Sequence, residues 1–244
     1  MELFKRFEFK YPVKDALTPA ITDALLRLGI VPDAEAKKHG SDFYIVNSLY
    51  FDSPALRDYY DKSGGFLERE KIRMRMYGTH LTDETKHVWL ENKMKHDMTI
   101  SKKRGPLNVA EYDLVRVAPQ KFIADASLPQ EYSIVKTIAK KIVDRSMKPH
   151  LLVRYKRIPL VSKTAPHFRV TFDSNIESCQ KGDLRYNYAM HRVAPGMTIM
   201  EVKFSVFLPP WFRKILEEFS LKREAFSKYA HGMDAARKLN PLPR

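Results

Sequence analysis

The 244-residue chain is 44% hydrophobic, enough for a substantial core, and its lone Cys179 excludes an internal disulfide. Lys and Arg number 43 against 29 Asp and Glu, and the formal charge of +14 calls for an anionic partner without choosing among nucleic acid, an anionic membrane surface and a phosphorylated small molecule. The first ten residues are charged and lack the apolar core of a signal peptide, and no apolar run approaches the roughly 20 residues of a bilayer span, so a soluble, cytoplasmic protein is expected.

No repeat, low-complexity tract or Gly/Ser linker breaks the chain, so one continuous domain over 1–244 is expected. Period-two alternation over 4–13 predicts a strand with Arg6, Glu8 and Lys10 on one face and Phe7, Phe9 and Tyr11 on the other. Helical spacing over 15–28 stops at Gly29. A strand follows at 43–52, then Ser53 and Pro54 cap a short helix running through Tyr60. The strand at 68–78 sets Lys71, Arg73, Arg75 and Tyr77 against Ile72, Met74 and Met76. The strand at 86–95 puts Glu91, Lys93 and Lys95 together with Trp89, opposite Val88, Leu90 and Met94. Further strands are expected at 98–104 and 110–117. A helix over 128–143 lines up Tyr132, Val135, Ile138, Ala139 and Ile142. Strands at 150–161, 167–176 and 197–205 pair Tyr155 with Arg157, Arg169 with Thr171 and Asp173, and Glu201 with Lys203 on single faces. One or two helices fill 210–231. The class is α+β, an antiparallel sheet closed into a β-barrel with helices packed outside.

One strand with a basic face is ordinary for a sheet with one side in water. Here several strands repeat the pattern, with arginines at their centres and single carboxylates among them, which suits an enclosed anion site. Guanidinium groups give phosphate bidentate donors and lysines add point charges. Glu8, Glu91 and Glu201 are the candidates for holding Mg²⁺ or Mn²⁺ between phosphates; each can instead neutralise a neighbouring Arg or Lys. No Walker-type glycine loop, His-Glu-x-x-His or paired Cys/His spacing occurs, and Ser48, Ser101 and Ser227 lack a Gly-x-Ser-x-Gly setting. Trp89 and Trp211 are read as packing residues in preference to nucleobase platforms.

Taken in order, Arg6-Phe7-Glu8-Phe9-Lys10-Tyr11, Val46-Asn47-Ser48-Leu49-Tyr50-Phe51-Asp52, Lys71-Ile72-Arg73-Met74-Arg75, Leu90-Glu91-Asn92-Lys93, Lys102-Lys103-Arg104, Tyr155-Lys156-Arg157, Arg169-Val170-Thr171-Phe172-Asp173, Glu201-Val202-Lys203-Phe204 and Ser227-Lys228-Tyr229 form a set. That set resembles the catalytic domain of the vacuolar transporter chaperone (VTC) family, the polyphosphate polymerase branch of the triphosphate tunnel metalloenzymes, over nearly the whole chain. The resemblance implies a triphosphate tunnel fold. It also implies that Lys10, Arg73, Arg75, Lys93, Arg157, Arg169 and Lys203 grip phosphates, with Tyr155 donating a hydrogen bond. Glu201 becomes the principal metal ligand, and Lys228 sits near the reacting phosphates with Arg73 and Arg75. In the Lys102-Lys103-Arg104 run the register stays open: Lys102 is favoured as the phosphate ligand, against a solvated basic turn before Gly105-Pro106. Many tunnel enzymes place a glutamate where this chain has Arg6, a departure that favours the polymerase branch over hydrolases and cyclases.

The expected activity is transfer of the ATP γ-phosphoryl group to a growing inorganic polyphosphate chain, in which alignment, metal bridging and charge stabilisation suffice because the acceptor is itself a phosphate. The alternatives are a metal-dependent triphosphatase of the same fold and a non-catalytic polyanion-binding module. Nucleic acid is not expected, since Tyr77 and Tyr155 are few aromatics among many cations. A membrane partner subunit, holding the chain at the cytoplasmic face, is compatible with this reading.

Overall fold

The computed structural model of the protein describes residues 6–37, 41–63, 67–97, 99–165 and 167–239. Ten strands occur among them: β1 (Arg6–Lys14), β2 (Ile30–Pro32), β3 (Tyr44–Asp52), β4 (Glu68–Tyr77), β5 (Val88–His96), β6 (Thr99–Leu107), β7 (Lys148–Ser162), β8 (Arg169–Cys179), β9 (His191–Arg192) and β10 (Met197–Ser205). The helices are α1 (Thr18–Arg27), α2 (Ala34–Lys37), α3 (Arg57–Ser63), α4 (Val109–Val117), α5 (Pro119–Ala124), α6 (Ser133–Asp144), α7 (Pro210–Glu218) and α8 (Lys228–Leu239).

All the strand pairings are antiparallel, in the order β2-β7-β3-β4-β5-β6-β1-β10-β8-β9, and a further β7–β8 pairing closes the sheet into a ring. The barrel expected from the strand count is therefore present, and its helices pack mainly outside. Among the described residues the β6–β1 join pairs Phe7 with Thr99. Along that seam the chain before α8 lends support, with Glu224 N–H donating to the Lys10 carbonyl at 2.9–3.0 Å spacing typical of a ladder bond, here 3.0 Å.

Strand parity accounts for both faces of the ring. The outward residues Leu49, Ile72, Met74, Met76, Val88 and Leu90 bury against Tyr112, Phe122, Val135, Ile138 and Ile142 of α4, α5 and α6. Gly105 allows α6 to close in, because a Cβ there would meet Val135 Cγ2 at 2.4 Å. On the opposite side Tyr11, Val13, Val170, Phe172, Met200 and Val202 bury against Ile21 and Leu25 of α1 and Phe212 and Ile215 of α7. Helix α8 differs. It packs on Val46, Val153 and Ile199, which share the inward faces of their strands with Ser48, Tyr155 and Glu201, so it stoppers one end of the ring. Gly232 permits that approach, since a Cβ would lie 2.9 Å from Leu151 Cδ2.

One expected element changes type: the strand at 110–117 is helix α4. Asn108 caps it, its side chain accepting from Glu111 N–H at 2.9 Å while the Glu111 carboxylate accepts from Asn108 N–H at 2.8 Å. Tyr112 and Val115, three apart, then reach the core, so a three-residue repeat outweighed the apparent alternation. The terminal helical stretch expected over 210–231 is α7 and α8, with α8 continuing to Leu239. The basic run 102–104 lies inside β6, so it is not a turn. Among the described residues no helix is long and apolar enough to cross a membrane.

Candidate functional site

The inward faces of the ring enclose a cavity of about 530 Å³. Cations from β1 (Lys10), β4 (Arg69, Lys71, Arg73, Arg75), β5 (Lys93, Lys95), β7 (Arg157), β10 (Lys203) and α8 (Lys228) line it, with Arg223 from the chain before α8. Among the described residues, Glu8, Glu201 and Glu224 bring carboxylates to the lining. The aromatic side chains of Tyr50 and Tyr155 complete its wall next to α8.

The floor is an ion network. Arg157 forks onto Asp173 with two bonds of 2.7 Å and reaches Glu201 Oε2 at 3.3 Å. Lys228 Nζ lies 2.5 Å from Asp173 Oδ2 and 2.7 Å from Glu201 Oε1. Burial alone would raise the Glu201 carboxyl, but Lys228, Lys10 and Arg157 hold it well below the usual range. Asp173 and Glu201 outweigh burial at Lys228 and hold its ammonium far above the ordinary lysine value. Helix α8 delivers Lys228 because the adjacent Tyr229 is pinned: its hydroxyl donates to Asp52 at 2.6 Å, and its ring stacks on Tyr50.

A second group lies on β4, β5 and β6. Arg73 meets Glu91 Oε2 through Nε at 2.8 Å and Nη2 at 2.7 Å, and Lys102 donates to Glu91 Oε1 at 3.0 Å. Arg73 Nη1 also donates to Tyr50 Oη at 3.0 Å, while Arg75 donates to Ser48 at 3.1 Å and Tyr155 Oη at 3.3 Å. Burial opposes ionisation of Tyr50, yet Arg73 and Arg75 bring its hydroxyl down to about 8.

The third group, on β1, β5 and β10, is looser. Lys93 donates to Glu8 at 2.8 Å, Lys203 lies 3.7 Å away, and Lys10 stands 3.6 Å from both Glu8 and Glu201 while donating to the Phe226 carbonyl at 2.6 Å. Burial lowers Lys93 to about 8 despite Glu8, with Lys10 and Lys203 adding repulsion. Glu8 itself is held low because Lys93, Lys203 and Lys10 overcome burial and the charge of Glu201.

Of the residues singled out in the sequence, Glu8, Lys10, Arg73, Arg75, Lys93, Tyr155, Arg157, Glu201, Lys203 and Lys228 converge on the cavity. Lys102 pairs with Lys93 across β5–β6, so it shares the inward face and Lys103 does not, but its ammonium is turned to Glu91. Glu91 is fully buried beneath Arg73 and Lys102 and does not line the cavity. Arg169 stands apart at the rim, its side chain 58% exposed and 3.9 Å from Asp33. Arg6 lies in β1, facing Ser205 of β10 in the register. Asp173, Tyr50 and Lys71 were missed as site residues. Parity signalled all three, Asp173 falling two positions after Thr171, Tyr50 two after Ser48 and Lys71 two before Arg73. Arg223 lies in irregular chain with no periodic signal.

Among the described residues no three His, Cys, Asp or Glu side chains cluster as a metal cage. Glu8 and Glu201 nevertheless both face the cavity and share Lys10 between them. Such a donor set fits a hard divalent ion that takes most of its oxygens from phosphates and water. It does not fit a cage that binds metal unaided.

The VTC domain profile matches residues 5–237. No curated protein matches the chain. Among solved structures, a Hippeastrum candidate adenylyl cyclase with a dominant triphosphatase activity aligns over 95% of this chain and 96% of its own, at 13% identity and a TM-score of 0.50. A candidate adenylate cyclase from Bacillus halodurans aligns over 91% and 94%, at 15% identity and a TM-score of 0.48. A Pyrococcus horikoshii protein aligns over 94% and 98%, at 12% identity and a TM-score of 0.49.

Proposed function

The chain belongs to the VTC domain family, and on that premise we propose that it is a polyphosphate polymerase, transferring the γ-phosphoryl group of ATP to the end of an inorganic polyphosphate chain inside its cavity. The observation that carries the reading is the lining: eleven Lys and Arg side chains, Lys10, Arg69, Lys71, Arg73, Arg75, Lys93, Lys95, Arg157, Lys203, Arg223 and Lys228, face three carboxylates around one enclosed space. Asp173 and Glu91 behind the lining offset part of that charge at Arg157, Lys228 and Arg73, and the remaining lysines and arginines still exceed what one nucleoside triphosphate needs. A donor and an acceptor chain together would use them.

In this reading Arg73 and Arg75 hold donor phosphates, and the Glu91 carboxylate beneath them fixes the Arg73 guanidinium before the ligand arrives. Tyr155 and Tyr50 accept from the arginines, which leaves each hydroxyl proton free for a phosphate oxygen. Lys10, Lys93 and Lys203 hold the acceptor opposite. Lys228, kept protonated by Asp173 and Glu201, offsets charge on the transferred group as the bond to the leaving phosphate breaks and the bond to the acceptor oxygen forms. Glu201 with Glu8 would hold Mg²⁺ or Mn²⁺ against phosphate oxygens, and that ion would supply further charge neutralisation. Arg6 in place of a carboxylate at the start of β1 supports transfer to phosphate, by the family resemblance.

A metal-dependent triphosphatase would use the same cations with water as the acceptor, and fold does not separate the two. Incubation of the pure protein with ATP and Mn²⁺, followed by sizing of the products, does. The expected result is ADP and a ladder of long polyphosphate; ADP and free phosphate alone would overturn the polymerase reading.

A further inference from the structure

Trp89 is a large aromatic residue in the middle of the sheet, yet it belongs to none of the three apolar clusters. It remains half-buried, while its strand neighbours Val88 and Leu90 are fully buried in the core outside the ring. Parity puts the indole on the inward face with Glu91 and Lys93. Register puts it directly opposite Arg75 on β4 and Pro106 on β6. Directly opposed residues on antiparallel strands have their Cβ atoms about 5 Å apart, so Trp89 sits beside an arginine that lines the cavity, while Trp89, Arg104 and His87 themselves lie outside its lining. The exposed Arg104 lays its guanidinium over the indole at 4.3 Å from the ring centroid, and the exposed His87 ring lies 5.9 Å away at 55°.

A chain of inorganic phosphate offers nothing to a π-face. A nucleotide does, because its base stacks on aromatic rings and on guanidinium planes while its phosphates seek cations. Packing explains an indole sealed into a core; this one is outside every core cluster and carries a planar cation.

We infer that Trp89, with Arg104 and His87, is a stacking platform for the nucleobase of the nucleotide donor, set beside Arg75 so that the triphosphate enters the cavity from that side. The row Arg75, Arg73, Lys71 along β4 then runs from the α-phosphate end towards Arg69. The platform makes the donor site selective for a nucleoside triphosphate over inorganic tripolyphosphate. This inference rests on the reading of ATP as the donor.

Trp89 and Trp211 are the two tryptophans of the chain, and Trp211 packs against Phe168 and Phe212 outside the ring. In a Trp211→Phe variant the emission therefore reports on Trp89 alone. With a chelator present to prevent turnover, ATP is expected to quench that emission saturably and inorganic tripolyphosphate to leave it unchanged, although both bind by calorimetry. In the otherwise native chain, Trp89→Ala is expected to weaken ATP about five- to a hundredfold and to leave tripolyphosphate affinity within about twofold; Arg104→Ala should act in the same direction. Equal quenching by both ligands, or binding of ATP without any response, would overturn the platform and leave the tunnel reading standing. Binding of tripolyphosphate with none of ATP would overturn the platform and the ATP-donor reading together. The quenching readout uses native Trp89, so a Trp89→Ala chain that failed to fold would not protect the inference.

Discussion

At the floor of the cavity Lys228 and Arg157 meet Asp173 and Glu201 at 2.5 to 3.3 Å, whereas on the β1–β10 wall Lys10 and Lys203 stand 3.6 to 3.7 Å from their carboxylates. The titration directions diverge in the same way. Lys228 is pushed up by Asp173 and Glu201 against its burial, and Lys93 is pulled down by burial to about 8 in spite of Glu8. Residues of one chemical type thus do two jobs. At the floor, Asp173 and Glu201 hold Arg157 and Lys228 charged; on the wall, Lys10, Lys93 and Lys203 share Glu8, and burial with mutual repulsion makes Lys93 easier to deprotonate.

The largest expected effect comes from separating charge from shape at the floor. Glu201→Gln should lower metal-dependent turnover by a factor of about a hundred or more while circular dichroism stays native, because Asp173 still holds Arg157 and Lys228; undiminished turnover would remove Glu201 from the mechanism. Next, Lys228→Ala leaves two buried carboxylates with one cation fewer and should cost about 3–5 kcal/mol of stability in denaturant unfolding. Lys93→Ala should destabilise less than Lys228→Ala, because Lys10 and Lys203 remain beside Glu8, yet weaken tripolyphosphate binding. Equal destabilisation by the two variants would erase the distinction between floor and wall.

A smaller, few-fold effect should appear with pH. Folded Lys93 and Lys102 are lowered by burial to about 8, against 10.5 for an ordinary lysine, and folded Tyr50 is lowered to about 8 from 10.0 by Arg73 and Arg75 in opposition to burial. Between those values the unfolded chain binds more protons than the folded one, so these groups make the ligand-free protein more stable as pH rises from about 8 to 10. A bound phosphate favours the charged lysines, so affinity should fall over the same range and binding at pH 8.5 should take up protons. Calorimetry in two buffers of different ionisation enthalpy measures that uptake; proton release would contradict the assignment of the wall.

Much of this division was hidden in the sequence. Parity sorted Lys71, Arg73 and Arg75 from Ile72, Met74 and Met76, since a strand buried on its outer face leaves no other arrangement. It did not reveal that Glu91 lies beneath Arg73 and Lys102, because the depth of a side chain depends on β6, which is paired through a hairpin whose register the sequence left open. Once Lys93 is seen opposite Lys102, the choice between Lys102 and Lys103 is settled. Residues 110–117 were misread because Tyr112, Leu114 and Arg116 alternate with other residues as in a strand, while the deciding signal was the Asn108–Glu111 cap. Nor does spacing along one strand show that Arg157, from β7, meets Asp173 and Glu201 from β8 and β10. That contact exists only because β7 pairs with β8 to close the ring.

The most direct test of the central claim, that the inward cations form a polyanion tunnel, is titration of inorganic tripolyphosphate into the wild type, an Arg73→Ala/Arg75→Ala double variant and a Lys37→Ala/Lys140→Ala double variant, in chelator at fixed ionic strength. Lys37 and Lys140 lie exposed on α2 and α6. The account predicts saturable binding to the wild type, unchanged within about twofold in the Lys37/Lys140 pair and weakened more than about tenfold in the Arg73/Arg75 pair, as the loss of charge-assisted hydrogen bonds requires. Equal weakening in both pairs would mean that diffuse surface charge binds the anion, and would contradict the tunnel.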